Sequence, residues 1–178
     1  SAASYVYTTP HAEWGPRDIV CATVASQGEL IMRDELEIFE KDAADYVNCG
    51  YGIGLNSGTD ALHLGLRACG VGEGDEVITV AHTFVASISS IVHCGASPVL
   101  VDICDDFNMD VSQVEKSITS RTKAIMPVHL NGRICDMDEI KRISQKFDLH
   151  IIEDACQAWG ANYAGTKAGA FGSVGCFS

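Results

Sequence analysis

The segment His150 to Ala161, with the sequence HIIEDACQAWGA, carries the residues best suited to chemistry in this chain. Two acids, Glu153 and Asp154, close an apolar run that is typical of a strand. Successive strand residues point to opposite faces, so one acid faces the cleft beside the sheet and the other faces away. A buried carboxylate needs a cationic partner, and a protonated pyridine nitrogen would supply one to Asp154. The alternative is a structural aspartate that caps the following helix.

A second candidate lies in NSGTDAL, Asn56 to Leu62, where a strand end is followed by a glycine and a helix start. Gly58 lets the backbone approach a ligand closely, and Thr59 places a hydroxyl beside the first amides of the helix. Such an arrangement suits a phosphate. A simple helix cap at a tight turn remains the alternative, since the stretch matches neither a Walker loop nor a G-x-G-x-x-G fingerprint.

The segment AHTFVAS follows another predicted strand and contains Phe84, which either lies flat on a ligand ring or packs in the core. His82 and His129 also follow strands, but a lone histidine is more often structural than catalytic. None of the six histidines pairs with an acid at the spacing of metal ligands, and no C-x-x-C pair occurs. We therefore expect no metal site.

Strands and helices alternate along the chain from residue 51, and the strands are apolar on both faces. This pattern predicts an α/β fold with a mainly parallel sheet flanked by helices in three layers. Ligands of such sheets gather at the carboxyl ends of the strands, where the candidate residues lie. The predicted strands span 51–57, 76–80, 97–103, 123–130, 149–155 and 172–178, and the predicted helices span 32–47, 59–70, 84–95, 109–118 and 136–147.

Length and composition limit the classes of protein to which the chain can belong. The 178 residues suffice for one domain, and the net charge of −12 disfavours a nucleic-acid partner, whose phosphates require clustered Lys and Arg. Apolar runs are short, so we expect no membrane span, and the amino-terminal residues lack the pattern of a secretory signal. The eight cysteines have irregular spacing and are expected to be mostly buried thiols, which favours a reducing, cytoplasmic location.

In combination, five segments resemble the DegT-type sugar aminotransferases, enzymes of the aspartate-aminotransferase fold that use pyridoxal 5′-phosphate (PLP). The match runs in the family's order from about residue 30 to the end. Residues 1–30 lack clear periodicity and are expected to form an arm or a loosely packed lead-in. The resemblance implies that 31–178 form part of the PLP-binding large domain of a fold-type-I enzyme, without its carboxyl-terminal part and small domain. The five segments are SGTDALHLGLRACGVGEGDEVITVAHTFVAS, GASPVLVDI, TKAIMPVHLNG, IIEDACQAWGA and GSVGCFS.

The resemblance also implies a role for each candidate residue. Gly58 and Thr59 would hold the cofactor phosphate, and Ser178 would add a hydroxyl to it. Phe84 would stack on the pyridine ring, where the family carries an aromatic residue. Asp154 would bind the pyridine nitrogen and keep it protonated, which makes the ring an electron sink.

Gln157 would contact the side of the cofactor that carries the oxygen substituent of the ring. The family's reaction moves an amino group from an amino acid, typically glutamate, to the cofactor and then to a keto group of a nucleotide-linked sugar. The lysine that binds the cofactor covalently lies a few residues beyond the serine matched by Ser178. Lys167 precedes that serine in a surface turn and is not a substitute, so we expect residues 1–178 alone to be catalytically silent, with no catalytic residue among them.

Several alternatives stay open at this level. Within the family, a deoxysugar dehydratase replaces the lysine with histidine, and the deciding position follows Ser178. Outside it, the chain would be a non-catalytic folded or interaction domain. A nicotinamide-dependent oxidoreductase is disfavoured because no glycine fingerprint follows the first strand. Since the family forms dimers with active sites at the subunit interface, we expect a homodimer, and coat-polysaccharide and antibiotic sugars are both typical substrates.

Overall fold

The computed structural model of the chain describes residues 2–4, 20–25 and 33–178, with side chains from residue 36 onward. Ten strands and five α-helices occur in these residues, with short 3-10 turns at Glu115–Ser117 and Leu130–Gly132. In chain order the elements are β1 (Ala2–Ser4), β2 (Val20–Ala25), α1 (Arg33–Val47), β3 (Gly52–Gly54), α2 (Gly58–Ala68), β4 (Glu76–Val80), α3 (Val85–His93), β5 (Ser97–Val101), α4 (Val111–Val114), β6 (Thr122–Ile125), α5 (Met137–Phe147), β7 (His150–Asp154), β8 (Asn162–Tyr163), β9 (Thr166–Lys167) and β10 (Val174–Cys176).

Eight of these strands form one sheet in the order β1-β2-β10-β7-β6-β4-β5, with β3 also paired to β2. Strand β1 runs antiparallel to β2, and every other pair in the sheet is parallel. Consecutive parallel strands need a crossover, and the helices between them supply it. The carboxyl ends of β3, β4, β6, β7 and β10 therefore meet along one edge.

The helices cover both faces of this sheet. Along β7, Ile152 belongs to a core cluster that contains residues of α2 and α3, while the adjacent Ile151 belongs to a second cluster that contains residues of α4 and α5. Val77 and Ile78 divide between the two clusters in the same way. Because neighbouring strand residues point to opposite faces, both faces are buried, and the predicted three-layer, mainly parallel α/β fold is confirmed.

The elements differ from the sequence prediction mainly at their ends. Strand β6 stops at Ile125 instead of residue 130, because Pro127 has no amide N–H to donate to the ladder. The helix expected over 109–118 is a single α-helical turn continued by a 3-10 turn, although Asp110 caps it as predicted by accepting from the Ser112 amide at 3.0 Å.

Two regions contain strands that the sequence did not indicate. Strands β8 and β9 form a hairpin whose turn residues, Ala164 and Gly165, both have positive φ, the geometry of a type I′ turn. Within the segment 1–30, which we expected to be a lead-in, residues 2–4 and 20–25 are described and pair with the sheet. The remainder of that segment lies outside the described residues.

Among the helices between residues 33 and 178, none combines the length and apolar character that crossing a bilayer requires. Among residues 36–178, Cys69, Cys94, Cys104, Cys135 and Cys156 form no disulfide. Cys69, Cys94, Cys135 and Cys176 are buried, Cys49 and Cys156 are partly buried, and Cys104 is exposed.

Candidate functional site

A cavity of about 270 Å³ opens at the edge where the carboxyl ends of the parallel strands meet. All the candidate residues that the sequence indicated around a ligand line this one cavity, although they come from four separate segments of the chain. They are Gly58, Thr59, Phe84, Asp154, Gln157 and Ser178. The topology therefore collects them at the position where α/β sheets bind ligands.

One wall of the cavity is the amino terminus of helix α2. Ser57 caps this helix, and its hydroxyl accepts a hydrogen bond from the Asp60 amide at 3.1 Å. Gly58 and Thr59 are the first two helical residues, and amides of a first helical turn have no intrahelical carbonyl to bond. These N–H groups and the helix dipole suit an anion.

The neighbours of Gly58 leave no room for a side chain at this position. A Cβ atom placed on it would lie 2.8 Å from Cβ of Ser178 and 3.0 Å from Sγ of Cys156. The loop after β10 therefore packs directly against the start of α2 and brings the Ser178 hydroxyl to the same side as the helix amides. Gly58, Thr59 and Ser178 thus form a cradle that has room for an anion but not for a side chain at position 58.

Asp154, the last residue of β7, is 5% exposed and lines the cavity. Its Oδ2 accepts a hydrogen bond of 2.6 Å from the Ser87 hydroxyl, and its Oδ1 accepts one of 3.3 Å from the Cys156 amide. Within the described part of the chain, no Lys, Arg or His nitrogen forms an ion pair with it. The carboxylate is thus held by neutral donors beside a cavity large enough for a cationic group.

Glu153 points to the other side of β7, as strand alternation predicts. It is fully buried and accepts amide hydrogen bonds from Gly169, Phe171 and Gly172 at 2.7–2.8 Å, with Nε2 of His129 at 3.0 Å. Glu153 therefore organises the turn that leads into β10. The two adjacent acids have different functions, one within the fold and one at the cavity.

Phe84 is the residue directly before α3. It borders the cavity and is nevertheless 68% exposed. The alternative of a core phenylalanine is wrong. Gln157 is held by its Oε1, which accepts from the Asn131 amide at 2.8 Å and leaves the Nε2 donor for a ligand. Asn131 has φ 54°, a conformation that asparagine tolerates well.

Three residues of the site escaped the sequence analysis: Thr83, Ser87 and Cys156. Thr83 and Cys156 line the cavity, and Ser87 lies behind Asp154. Thr83 precedes the predicted helix 84–95, so no helical spacing linked it to Ser87 in the sequence. Cys156 carried no signal, and burial next to Asp154 raises the pKa of its thiol well above the ordinary range.

Lys167 lies away from the cavity, as the sequence analysis expected. Its ammonium group contacts the backbone carbonyl of Tyr46 and lies 3.5 Å from the centre of the Tyr46 ring. Between residues 36 and 178, no cluster of His, Cys, Asp and Glu side chains has an arrangement able to hold a metal ion.

Residues 17–178 match the DegT/DnrJ/EryC1/StrS aminotransferase family. The chain is 49% identical over 158 residues to GDP-perosamine synthase of Caulobacter vibrioides, covering 87% of this chain and 41% of that protein. It is 45% identical over 162 residues to the dTDP-3-amino-3,4,6-trideoxy-alpha-D-glucose transaminase of Streptomyces venezuelae, covering 90% and 43%. The chain thus spans about two fifths of the length of these curated relatives.

Solved structures give the same assignment. DesV of S. venezuelae superposes with a TM-score of 0.76 at 46% identity, covering 78% of this chain and 38% of DesV. NtdA of Bacillus subtilis, solved with bound cofactor PMP, superposes with a TM-score of 0.71 at 43% identity, covering 73% and 30%. At these identities the likeness extends beyond the fold to the sequence.

Proposed function

The chain belongs to the DegT/DnrJ/EryC1/StrS aminotransferase family, and on this premise we propose that the protein uses PLP to move an amino group onto a keto sugar carried by a nucleotide. Two observations on relatives support this: NtdA was solved with PMP, the amino form of PLP, and the relatives named above act on GDP- and dTDP-linked sugars. Their names include synthase and transaminase, which favours transamination over dehydration of a deoxysugar.

The observation that carries the proposal is the Asp154 carboxylate, which is buried beside the cavity and accepts from neutral donors only among the described side chains and amides. A buried carboxylate in such a place favours a cationic ligand. A pyridine nitrogen next to it would gain a proton, because a nearby negative charge stabilises the charged form. Asp154 therefore fits the ring nitrogen of PLP.

The start of α2 and Ser178 fit the phosphate. Gly58, Thr59 and Ser178 would hold it through helix amides and hydroxyl groups, and no lysine or arginine is among the described residues that line the cavity. This fits a chain of net charge −12, since backbone donors at a helix start bind anions regardless of overall charge.

When bound, PLP supplies an electron sink for the amino-transfer reaction. The residues of this chain bind and orient it. Asp154 would hold a proton at the ring nitrogen, Phe84 would cover the ring and keep water from it, and Nε2 of Gln157 would donate to the oxygen substituent of the ring. The covalent attachment requires the lysine that the family places after the serine matched by Ser178.

We further propose an amino acid such as glutamate as the donor, a homodimer as the working assembly and the cytoplasm as the location. The donor and the dimer follow from the family resemblance. Thiols without a disulfide at Cys69, Cys94, Cys104, Cys135 and Cys156 agree with a reducing compartment.

The binding site can be tested without the covalent step. 4′-Deoxypyridoxine 5′-phosphate keeps the ring nitrogen and the phosphate of PLP but lacks the aldehyde, so its affinity depends on the cradle alone. We expect the protein to bind it and Asp154→Asn to weaken binding at least about tenfold, since a hydrogen bond between charged groups contributes about 1.5–3 kcal/mol.

Asp105→Asn, in an exposed loop, is the matched control and should bind like the unaltered protein. Absence of binding by the unaltered protein, or equal affinity of the Asp154 variant, would contradict the proposal.

A further inference from the structure

A side-chain hydrogen bond connects Asp154 to helix α3. The hydroxyl of Ser87 donates to Oδ2 of Asp154 at 2.6 Å, and Ser87 is fully buried. The contact joins the first turn of α3 to the end of β7, across 67 positions of the sequence. A bond this short to a carboxylate is characteristic of a charge-assisted hydrogen bond.

Ser87 is itself held by a second hydroxyl. Oγ1 of Thr83 lies 2.6 Å from Oγ of Ser87, and either atom could act as donor when this pair is taken alone. An ionised carboxylate only accepts, so the single hydroxyl proton of Ser87 is committed to Asp154. Thr83 must then donate to Ser87. The result is a directed chain from Thr83 through Ser87 to Asp154, in which each bond polarises the next.

The same turn of α3 also carries Phe84. The amide of Ser87 donates to the Phe84 carbonyl at 3.1 Å, so the backbone that positions the aromatic ring also positions the hydroxyl. Phe84 and Asp154 border one cavity. Ser87 thus links the residue that would cover the face of a ring to the residue that would contact its nitrogen.

We propose that Ser87 is a positioning residue, which, backed by Thr83, fixes the Asp154 carboxylate in the orientation that meets the nitrogen of a pyridine-type ligand. This inference rests on the proposed function. Without the Ser87 hydroxyl, Oδ2 loses its donor at a buried site and the carboxylate is free to turn. Its negative charge is also less well stabilised, so it takes a larger share of the proton that lies between it and the ring nitrogen.

Four variants separate this role from general packing. Ser87→Ala removes the hydroxyl, Ser87→Thr retains it, and Thr83→Val removes only the second donor in the chain. Ser90→Ala is the matched control: Ser90 is equally buried on α3, and its hydroxyl donates to the Ser87 carbonyl at 3.0 Å without contacting Asp154. Circular dichroism establishes whether each variant is folded, and Thr83→Val, at a half-buried position, provides the test if Ser87→Ala does not fold.

The first measurement, circular dichroism, needs no ligand and shows which variants are folded. Among the folded variants we expect the largest loss of affinity for a pyridine-type ligand in Ser87→Ala and a smaller loss in Thr83→Val. Ser87→Thr and Ser90→Ala should bind like the unaltered protein, because both retain the Ser87–Asp154 type of contact.

The second measurement uses 4′-deoxypyridoxine 5′-phosphate labelled with ¹⁵N in the ring. The unaltered protein and Ser90→Ala should show a protonated ring nitrogen and the same dissociation constant. Ser87→Ala should shift the ¹⁵N signal towards the unprotonated form and raise the dissociation constant about tenfold. Ser87→Thr should restore the protonated signal.

The outcomes distinguish two failures. If the unaltered protein does not bind the ligand, the proposed function is wrong and the role of Ser87 towards a ring nitrogen is wrong with it. If the unaltered protein binds, but Ser87→Ala keeps both its ¹⁵N signal and its affinity, only the role of Ser87 is overturned. Equal changes in Ser87→Ala and Ser90→Ala would also overturn it, because they would indicate a packing effect.

Discussion

Oε2 of Glu153 lies 3.0 Å from Nε2 of His129, and both side chains are wholly buried. Three backbone amides of the turn before β10 complete the coordination of this carboxylate. Glu153 thereby attaches the turn to β7, while the adjacent Asp154 faces the cavity. The alternation of a single strand thus separates an acid that stabilises the fold from an acid that faces the cavity.

Replacing Glu153 by glutamine should destabilise the fold. One carboxylate oxygen becomes an NH2 group that faces amide donors, so at least one buried hydrogen bond is replaced by a contact between two donors. We expect the free energy of unfolding in urea to fall by about 1–3 kcal/mol, the cost of leaving a buried donor without its acceptor. Glu139→Gln, which affects an exposed pair with Arg142, should leave it almost unchanged. Similar effects of the two substitutions would contradict this account of Glu153.

The protonation state of His129 is a second prediction. Burial favours the neutral ring and lowers its pKa, while hydrogen bonds with Cys135 and Glu153 and the charge of Glu153 oppose this effect. The amide of Cys135 donates to Nδ1 at 3.3 Å, and a protonated Nδ1 could not accept from that donor. We therefore expect a neutral ring at pH 7, protonated on Nε2, which faces Glu153. ¹⁵N NMR of the ring should show one protonated nitrogen, and two would refute the assignment.

Gly58→Ala should close the anion cradle. The added Cβ would lie within 3.0 Å of both Ser178 and Cys156, so the loop after β10 must move away from α2. We expect affinity for 4′-deoxypyridoxine 5′-phosphate to fall more than about tenfold, because a displacement of one wall removes several phosphate contacts together. Gly72→Ala is the control, since its nearest contact would be the flexible end of Arg67 at 3.7 Å. Unchanged binding by Gly58→Ala would show that the cradle lies elsewhere.

A pH dependence of stability is expected from His150. Burial and the charge of Lys123 lower its pKa from the ordinary value, and Asp148 opposes them. The unfolded chain therefore takes up the proton at a higher pH than the folded one. The unfolding free energy should decrease as the pH falls below about 6.5, and level off below the folded-state pKa.

His150→Gln should flatten this part of the profile, measured by urea unfolding between about pH 5 and 8. A slope that persists unchanged in the variant would assign the effect to other groups.

Much of this architecture was predictable because the sheet is buried on both faces. A short, continuous apolar run such as 76–80 is typical of a strand buried on both faces, and the predicted bounds of β4 agree with the observed ones. Gly58, Thr59, Asp154 and Ser178 were predictable as neighbours for the same reason, since the carboxyl ends of parallel strands share one edge. The resemblance then assigned expected roles to them.

The remainder depends on contacts between distant segments, which no local pattern records. Ser87 meets Asp154 only after α3 and β7 have packed, and both residues have ordinary local neighbours in the sequence. The short strands β8 and β9 lack the hydrophobic alternation that indicates a hairpin. Their turn also has Ala164 at a position of positive φ where asparagine is usual. Phe84 was ambiguous because an aromatic residue after a buried strand packs in the core in most proteins.

The packing of Ser178 against Gly58 also bears on how a ligand would affect thermal unfolding. A phosphate held by both residues would connect the beginning of α2 to the loop after β10, two parts of the domain that are far apart in the sequence. Its binding free energy would then add to the cooperative stability of the whole domain rather than to that of one loop. At a ligand concentration one hundred times the dissociation constant, mass action would contribute about 2.7 kcal/mol against unfolding.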